Sequence, residues 1–452
     1  MFIILLTILI LAGIFVPIVL LGNNKFIDLL NPACLFTILF VSMYGGRYLY
    51  LQFWPEILSE VGISQNQGEY VNLAMIVSVI AIIFFWIGYM MPIGRAFSKA
   101  IPSLPSSWSK ARSGIWVGIA YFLGVSLHLY EIFIAAGGFT EWLHTSKDAL
   151  LLSMHIGGVY LKVLSYTLPM IAIIGSFIRY RYAPSRFRLS LVLIFLSTEI
   201  LYSFMTGSRG GWLYIVVGLG LTEYYIRGGA HSFGSVKVVL SGLLVTIIMA
   251  VLFPIISIIR FVGLEALINN FWVTLSSINY SFSSVFAEVF RRFYMLDTLA
   301  WAIKNIPNHF DYSYGTEIYY SPLAIIPRVI WEGKPILGTP KISGDQMVPL
   351  LSTDYIAKDM HTLTELYWIG GVGAVILGMV VIGVLFRVMR EYMRLHGESS
   401  SIALFIGVSY IGMVTILNSA IPDMLTSYAF QVIIVLLFSI LLKGKKSRLI
   451  KH

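Results

Sequence analysis

The chain is a series of apolar segments, each near the length of a membrane span, and one long polar stretch at residues 260–362 interrupts the series. A helix needs roughly 20 apolar residues to cross the hydrocarbon core of a bilayer. Repeated segments of this length predict a polytopic integral membrane protein of the all-α class. The polar stretch is too long to be a simple connection, so it is the first place to look for functional residues.

Composition supports this class. Hydrophobic residues make up 58% of the chain and charged residues 12%, which few soluble proteins match. The net charge of +9 does not indicate nucleic-acid binding, because the Lys and Arg residues lie in short connections between apolar segments. Cys34 is the only cysteine, so one chain can form neither a disulfide nor a cysteine metal site. The segment 2–21 lacks a basic start and a small-residue cleavage site, and we interpret it as a retained span.

A window of span length predicts about eleven transmembrane helices. They fall near residues 2–21, 33–53, 72–92, 114–136, 159–178, 190–206, 212–226, 238–259, 364–386, 401–418 and 427–442. The chain then divides into an N-terminal membrane region (1–259), a large loop (260–363), and a C-terminal region (364–452) with further spans and a basic tail. Residues 283–306 within the loop repeat apolar side chains at helical spacing, which predicts a helix on the membrane surface or against the spans.

Basic residues predict the orientation. Five connections carry most of the Lys and Arg residues: 93–113, 179–189, 227–237, 387–400 and the tail after 442. All five lie on the cytoplasmic side if the N-terminus is outside and eleven spans follow. The large loop at 260–363 then faces away from the cytoplasm.

Arginines are unusual on that outer side, where they are costly and often functional. Guanidinium groups match phosphate oxygens in a way that lysine cannot, so an outward cluster beside the bilayer suits a lipid pyrophosphate. The candidates are Arg47, Arg209, Arg260, Arg291, Arg292 and Arg328.

Each arginine also has an alternative role. Arg209 lies among glycines at 206–211, where a tight turn can present amides to an anion or form a re-entrant hairpin whose arginine reaches the headgroups. Glu288 precedes Arg291 and Arg292 at ion-pair spacing, so one of them is expected to pair with it. Arg47 and Arg260 lie at the ends of predicted spans, so anchoring of the span in the membrane interface explains them as well as ligand contact does.

His361 ends the large loop, and its imidazole suits a general base near neutral pH. Glu365 follows one helical turn later, where it can orient His361 or act as the base itself. A histidine that caps the following helix is the alternative, and Asp354 and Asp359 are weaker candidates. Aromatic residues of the loop suit sugar rings or an ordinary membrane interface; they include Tyr312, Tyr314, Tyr319, Tyr320 and Trp331.

Nucleotide and metal motifs are not found in the sequence. It has no P-loop, no Gly-x-Gly-x-x-Gly at the start of a helix and no His-Glu-x-x-His. No Asp-x-Asp pair occurs in the outward loops, which disfavours a metal-bound nucleotide-sugar. We therefore expect no metal and no cofactor, and a donor that carries its own lipid anchor.

Residues 326–335, Ile-Pro-Arg-Val-Ile-Trp-Glu-Gly-Lys-Pro, resemble the outward loop of bacterial O-antigen polymerases of the Wzy type. The Gly-Ser-Arg-Gly-Gly stretch at 207–211 and the stretch from His361 to Gly373 also look like that family. The latter is similar, too, to the histidine-led stretch of the related O-antigen ligases. There Asn usually follows the histidine, whereas Thr362 follows it here.

The resemblance implies a GT-C-like, metal-independent glycosyltransferase of the bacterial inner membrane with its site facing the periplasm. Such enzymes move a growing glycan from undecaprenyl pyrophosphate onto the sugar of another lipid-linked oligosaccharide repeat unit. By the resemblance, Arg209 and Arg328 fall on the family's arginine positions and His361 on the ligase-like histidine. The implied partners are lipid-linked oligosaccharides, the lipid bilayer and a chain-length regulator protein.

Two other functions stay open at this point. An O-antigen ligase would use a lipid A core as the acceptor, and the sequence separates it poorly from a polymerase. A flippase or transporter of lipid-linked oligosaccharide should carry charge within its spans. Here such acidic residues are few: Glu199 is the clearest, and Glu131 and Glu223 lie nearer the ends of spans.

Overall fold

A computed structural model describes the chain at residues 31–53, 68–135, 137–138, 140–141, 158–205, 211–227, 293–320, 361–396, 399–414 and 421–444, and at positions 9 and 331. Every regular element in these parts is a helix. One isolated β-bridge there joins Trp108 and Lys443. The predicted all-α class is confirmed for the described residues.

The helices are numbered here in chain order. They are α1 (Pro32–Phe53, with a π-helical segment at Val41–Gly45), α2 (Gly68–Met90), α3 (Ile93–Ala100), α4 (Lys110–Tyr130, continued by a π-helical segment at Glu131–Ala135), α5 (Gly158–Tyr182), α6 (Arg186–Met205), α7 (Gly211–Ile226), α8 (Met295–Asn305), α9 (Thr316–Tyr320), α10 (Thr362–His396), α11 (Ser400–Val414) and α12 (Ile421–Leu441). Nine predicted spans coincide with α1, α2, α4 to α7 and α10 to α12. The spans predicted at 2–21, apart from Leu9, and at 238–259 lie outside the described residues.

Five helices of the described chain are long and apolar enough to cross a membrane. They are Pro32–Phe53, Gly68–Met90, Lys110–Phe133, Val163–Tyr182 and Thr362–His396. The protein is therefore a helical membrane protein. The arrangement of eleven spans stays a prediction. Three further predicted spans contain shorter apolar helices, at Tyr214–Ile226, Ser400–Tyr410 and Ser427–Leu441, α6 is not among the five, and two predicted spans lie outside the described residues.

The chain forms two compact units. The first contains Met1–Pro102, Phe286–Leu395 and Met413–Tyr428, and the second contains Ser103–Val285, His396–Gly412 and Ala429–His452. Each unit has its own packing and is described separately.

In the first unit, glycines bring α2 and α10 into close contact. A Cβ atom added to Gly88 would overlap the backbone of Val380, and one added to Gly383 would overlap the carbonyl of Phe85. Small residues allow membrane helices to approach in this way. Phe36 of α1 stacks on Phe85 with ring centroids 4.3 Å apart. The loop helix α8 packs against α2 and the π-helical segment of α1.

In the second unit, α5 packs against α4, α6 and α7. Pro169 lies inside α5, and its ring fits against Gly124 of α4, where a Cβ atom would lie 2.5 Å from the Pro169 Cγ. Gly218 of α7 similarly approaches the backbone of Gly407 in α11. The core of this unit is aliphatic, with Ile171, Ile173 and Ile174 fully buried.

Candidate functional site

The structure describes part of the predicted site. His361, Glu365, Tyr314, Tyr319, Tyr320 and Trp331 are among the described residues. The five arginines assigned to pyrophosphate lie outside the described residues: Arg209, Arg260, Arg291, Arg292 and Arg328. Their gathering around a diphosphate therefore stays a prediction.

Arg47, the sixth arginine predicted to lie on the outer side, forms a buried ion pair with Asp297 of α8. Its Nη2 lies 2.6 Å from Asp297 Oδ2, and its Nε donates to Oδ2 at 3.1 Å. The two side chains are 2% and 3% exposed. Asp297 lies in the first turn of α8, where the helix dipole favours a negative charge. Arg47 therefore fastens the loop helix α8 to α1, and neither membrane anchoring nor ligand contact is needed to explain its position.

The same helix contacts the start of α10. The Thr298 hydroxyl lies 3.0 Å from that of Thr364, and both residues are buried. The Tyr294 ring lies 4.9 Å from the His361 imidazole, and His361 is 3% exposed. Residues three and four apart share one helix face, so one face of α8 contacts both α1 and α10. We call Arg47, Tyr294, Asp297, Thr298, His361, Thr364 and Glu365 the α8 cluster.

Glu365 is fully buried and links α10 to α12. Its Oε2 accepts a hydrogen bond from the backbone N–H of Ile421, the first residue of α12. Its own backbone N–H donates to the His361 carbonyl at 2.9 Å. The first amides of a helix have no partner within the helix and carry a partial positive charge. Glu365 therefore has a clear structural role, and its predicted catalytic role stays a prediction.

The helix α10 is interrupted inside the predicted span. Gly370 has φ −175° and ψ 37°, and Gly371 has φ 64° and ψ −152°. The Gly371 conformation lies close to a region that is essentially restricted to glycine. Interrupted helices occur in membrane proteins where other protein groups satisfy the freed backbone atoms. The sequence prediction of a continuous span at 364–386 did not foresee this break.

A turn in the large loop supplies those groups. The amides of Ser313 and Tyr314 donate to the carbonyls of Trp368 and Ile369 at 3.0 and 3.2 Å. The Trp368 Nε1 in return donates to the Asp311 carbonyl at 3.2 Å. The end of the first half of α10 is thus capped by the loop that carries the predicted sugar-binding tyrosines.

Two of these tyrosines, Tyr314 and Tyr319, present open aromatic faces. Tyr314 is 80% exposed and Tyr319 is 74% exposed. Tyr314 has a left-handed φ of 50°, followed by Gly315 with φ 81°. Tyr320 lies at the end of α9, and Trp331 is partly buried. His361 directly precedes α10, and eight residue steps of 1.5 Å place it about 12 Å from Ile369 along the helix. The exposed turn therefore lies within the length of a short glycan from His361.

A second buried polar cluster lies in the second unit. The His128 Nε2 contacts both carboxylate oxygens of Glu199, at 2.9 and 3.2 Å. The Nδ1 of the same ring lies 4.0 Å from Glu131 Oε2. The Tyr202 hydroxyl donates to Glu131, and its ring stacks on His128 with centroids 3.6 Å apart. We call these four residues the histidine cluster.

Sequence reasoning missed two parts of this geometry. Asp297 is 250 positions from Arg47, so no local pattern marks the pair. The sequence does contain a signal for the histidine cluster. His128 and Glu131 lie three residues apart on one predicted span, and Glu199 and Tyr202 lie three residues apart on another. That spacing places each pair on one face of its helix.

Among the described residues, no group of three or more His, Cys, Asp or Glu side chains has the arrangement needed to hold a metal ion. Comparison with known proteins finds no matching protein family, no matching curated protein and no matching solved structure.

Proposed function

We propose that the protein is a glycan polymerase of the bacterial inner membrane that uses donors linked to undecaprenyl pyrophosphate. The hydroxyl of one lipid-linked repeat unit attacks the anomeric carbon of the glycan on a second carrier lipid. A glycosidic bond forms, the bond to the pyrophosphate oxygen breaks, and the acceptor proton passes to a base. The proposal includes eleven spans, a periplasmic site, and catalysis without metal or cofactor.

The observation that best supports this function is the position of His361 in the α8 cluster. His361 lies at the N-terminal end of α10, the end that the charge pattern assigns to the outer side. Four helices meet near this residue through the side chains of Arg47, Asp297 and Glu365. Fixed surroundings of this kind are what a general base requires, because proton transfer depends on its placement.

Roles for the remaining residues follow from the reaction. Pyrophosphate gains charge as it leaves, and arginines can stabilise that charge without a metal; Arg209 and Arg328 are the first candidates by the resemblance, with Arg260, Arg291 and Arg292 after them. The exposed Tyr314 and Tyr319 are placed to stack on sugar rings.

A test in cells examines surface glycans with the variants Arg209→Ala, Arg328→Ala and His361→Ala. Each variant should give single repeat units in place of a ladder of polymer, at unchanged protein level. His309→Ala is the matched control, because His309 is an exposed histidine of the same loop, and it should keep the ladder. Normal ladders in all three variants would contradict the site. Polymer that accumulates unattached on its carrier lipid would instead identify a ligase.

A second function has one observation in its favour. Ionisable residues within membrane spans commonly mark ion or substrate pathways, and the histidine cluster buries His128 and Glu199 between α4 and α6. A proton-coupled transporter of lipid-linked oligosaccharide would explain this cluster. The test is movement of labelled lipid-linked oligosaccharide across the membrane of reconstituted vesicles. Movement that Glu199→Gln abolishes would favour transport, and no movement above protein-free vesicles would exclude it.

A further inference from the structure

A third polar cluster gathers arginines around one buried carboxylate in the first unit. Glu391 of α10 is 3% exposed. Arg387 Nη2 lies 2.8 Å from its Oε1, and Arg394 Nε lies 2.9 Å from its Oε2. Arg95 of α3 lies 3.9 Å from Oε1. Three guanidinium groups thus share a single negative charge, which leaves an excess of two positive charges among these four side chains.

Two of the three arginines are open to the surroundings. The side chains of Arg95 and Arg394 are 57% and 63% exposed, whereas Arg387 is mostly buried and lies over the Tyr89 ring at 5.4 Å. Glu391 therefore holds the arginines in place from the inside, and the outer pair can bind an anion. A planar guanidinium binds phosphate oxygens with two parallel hydrogen bonds.

The short helix α3 beside this cluster is amphipathic. Its apolar side chains Ile93 and Phe97 are 49% and 60% exposed, and they lie one turn apart on one face. Arg95 and Lys99, also one turn apart, are exposed as well. Exposed apolar residues together with basic residues are typical of a helix that lies in the membrane interface.

Contacts at both ends hold this segment against α10. At Gly94 an added Cβ atom would lie 2.7 Å from the Cβ and Cγ of Arg387, so only glycine allows this approach. The Tyr392 hydroxyl donates to the Pro102 carbonyl at 2.8 Å. These contacts hold α3 against α10, so that Arg95 and Arg394 lie on the two carboxylate oxygens of Glu391.

We propose that Arg95 and Arg394 form a binding site for the phosphate headgroup of an anionic phospholipid. Ile93 and Phe97 enter the boundary between headgroups and acyl chains, and the two guanidinium groups bind the phosphodiester. A soluble phosphate would leave the apolar face of α3 unexplained, whereas a lipid accounts for both the charge and the apolar side chains. The inference does not depend on glycan transfer.

The test is native mass spectrometry of the full-length protein, titrated with phosphatidylglycerol or phosphatidylcholine. The wild type should retain phosphatidylglycerol in preference to phosphatidylcholine. Arg95→Gln/Arg394→Gln should bind phosphatidylglycerol about 30-fold more weakly, from the usual contribution of two basic residues at an anionic surface. Lys110→Gln/Arg112→Gln removes the same charge from two other exposed positions and should bind as the wild type does.

Three results would overturn the proposal: equal retention of both lipids by the wild type, equal binding by the Gln variant, or an equal loss in the control. Full displacement of the lipid by inorganic phosphate would also overturn it in favour of a soluble ligand. If the Gln variant does not fold, Arg95→Lys/Arg394→Lys replaces it, since this variant keeps the charges and loses the planar donors. It should bind phosphatidylglycerol more weakly than the wild type, and unchanged binding would count against the site.

Discussion

Arg47 and Asp297 are 250 positions apart in the chain and form a buried ion pair with a closest distance of 2.6 Å. This pair joins α1, an early membrane helix, to α8, a helix of the large loop. The loop is therefore fixed to the membrane helices at the face that also contacts His361. Placement of the predicted base depends on this link.

Asp297→Ala should destabilise the protein strongly, because it leaves the Arg47 charge buried without its carboxylate. Removal of one partner of a buried pair typically costs about 3–5 kcal/mol. Arg47→Leu/Asp297→Leu removes both charges and should cost less than Asp297→Ala. The measurement is the free energy of unfolding in mixed micelles.

The matched control for the buried pair is Arg227→Ala. Arg227 is 47% exposed and pairs with Glu223 one turn earlier, so its loss should cost no more than about 0.5 kcal/mol. If Asp297→Ala and Arg227→Ala have similar effects, the buried pair does not fix α8.

Gly371→Ala should destabilise the interrupted α10 and lower polymer formation. Its φ of 64° disfavours a side chain, and a Cβ atom would lie 3.1 Å from the Tyr312 hydroxyl. Backbone strain of this kind typically costs about 1–3 kcal/mol. Thermal unfolding and glycan ladders measure the two effects. Gly373→Ala is the control, because a Cβ atom there meets nothing within 4 Å; equal behaviour of the two variants would argue against the break.

Gly383→Ala should weaken the contact between α2 and α10. The added methyl group would overlap the backbone of Phe85, and overpacking usually costs about 1–3 kcal/mol. Gly118→Ala, at an open position in the middle of α4, should instead be neutral or stabilise by up to about 1 kcal/mol, since alanine favours helices. Unfolding curves compare the two variants, and a stable Gly383→Ala protein would contradict the observed helix contact.

A double-mutant cycle of His128→Ala and Glu199→Ala should show strong coupling. The two side chains share two contacts within a buried site, and residues in one such network couple by roughly 0.5–3 kcal/mol; we expect the upper part of this range. Tyr121→Phe and Thr198→Ala provide the control cycle between the same two helices, where one neutral hydrogen bond of 2.8 Å should couple by about 0.6 kcal/mol. If the control cycle couples as strongly, the histidine cluster is an ordinary polar contact.

Hydropathy predicted the helices well because the membrane imposes the same length and composition on every span. The spacing at 283–306 predicts a loop helix, and α8 forms over Met295–Asn305 of that range, whereas residues 283–292 lie outside the described residues. The burial of α8 extends beyond the apolar face that the spacing marks, because Asp297, Thr298 and Asn305 are buried as well. The sequence left two positions open for this helix: on the membrane surface or packed against the spans. Trp301 is only 6% exposed, which favours packing against the spans.

The polar contacts were harder to predict because they join distant parts of the chain. Glu365 is predicted to orient His361 or to act as the base itself, and both roles stay predictions. The contact between its Oε2 and the backbone N–H of Ile421 in α12 has no signal in the sequence around Glu365. The break at Gly370 and Gly371 depends on amides from Ser313 and Tyr314, which no pattern within α10 reveals. The predicted arginine site stays a prediction, since Arg209 and Arg328 lie outside the described residues.

The most direct test of glycan transfer uses purified protein and lipid-linked repeat units, with no metal and no nucleotide. The wild type should form polymer and release undecaprenyl pyrophosphate, and His361→Ala should be slower by roughly 10²–10⁴-fold, as expected for a lost general base. Absence of polymer with the wild-type protein, or an unchanged rate with His361→Ala, would contradict the account.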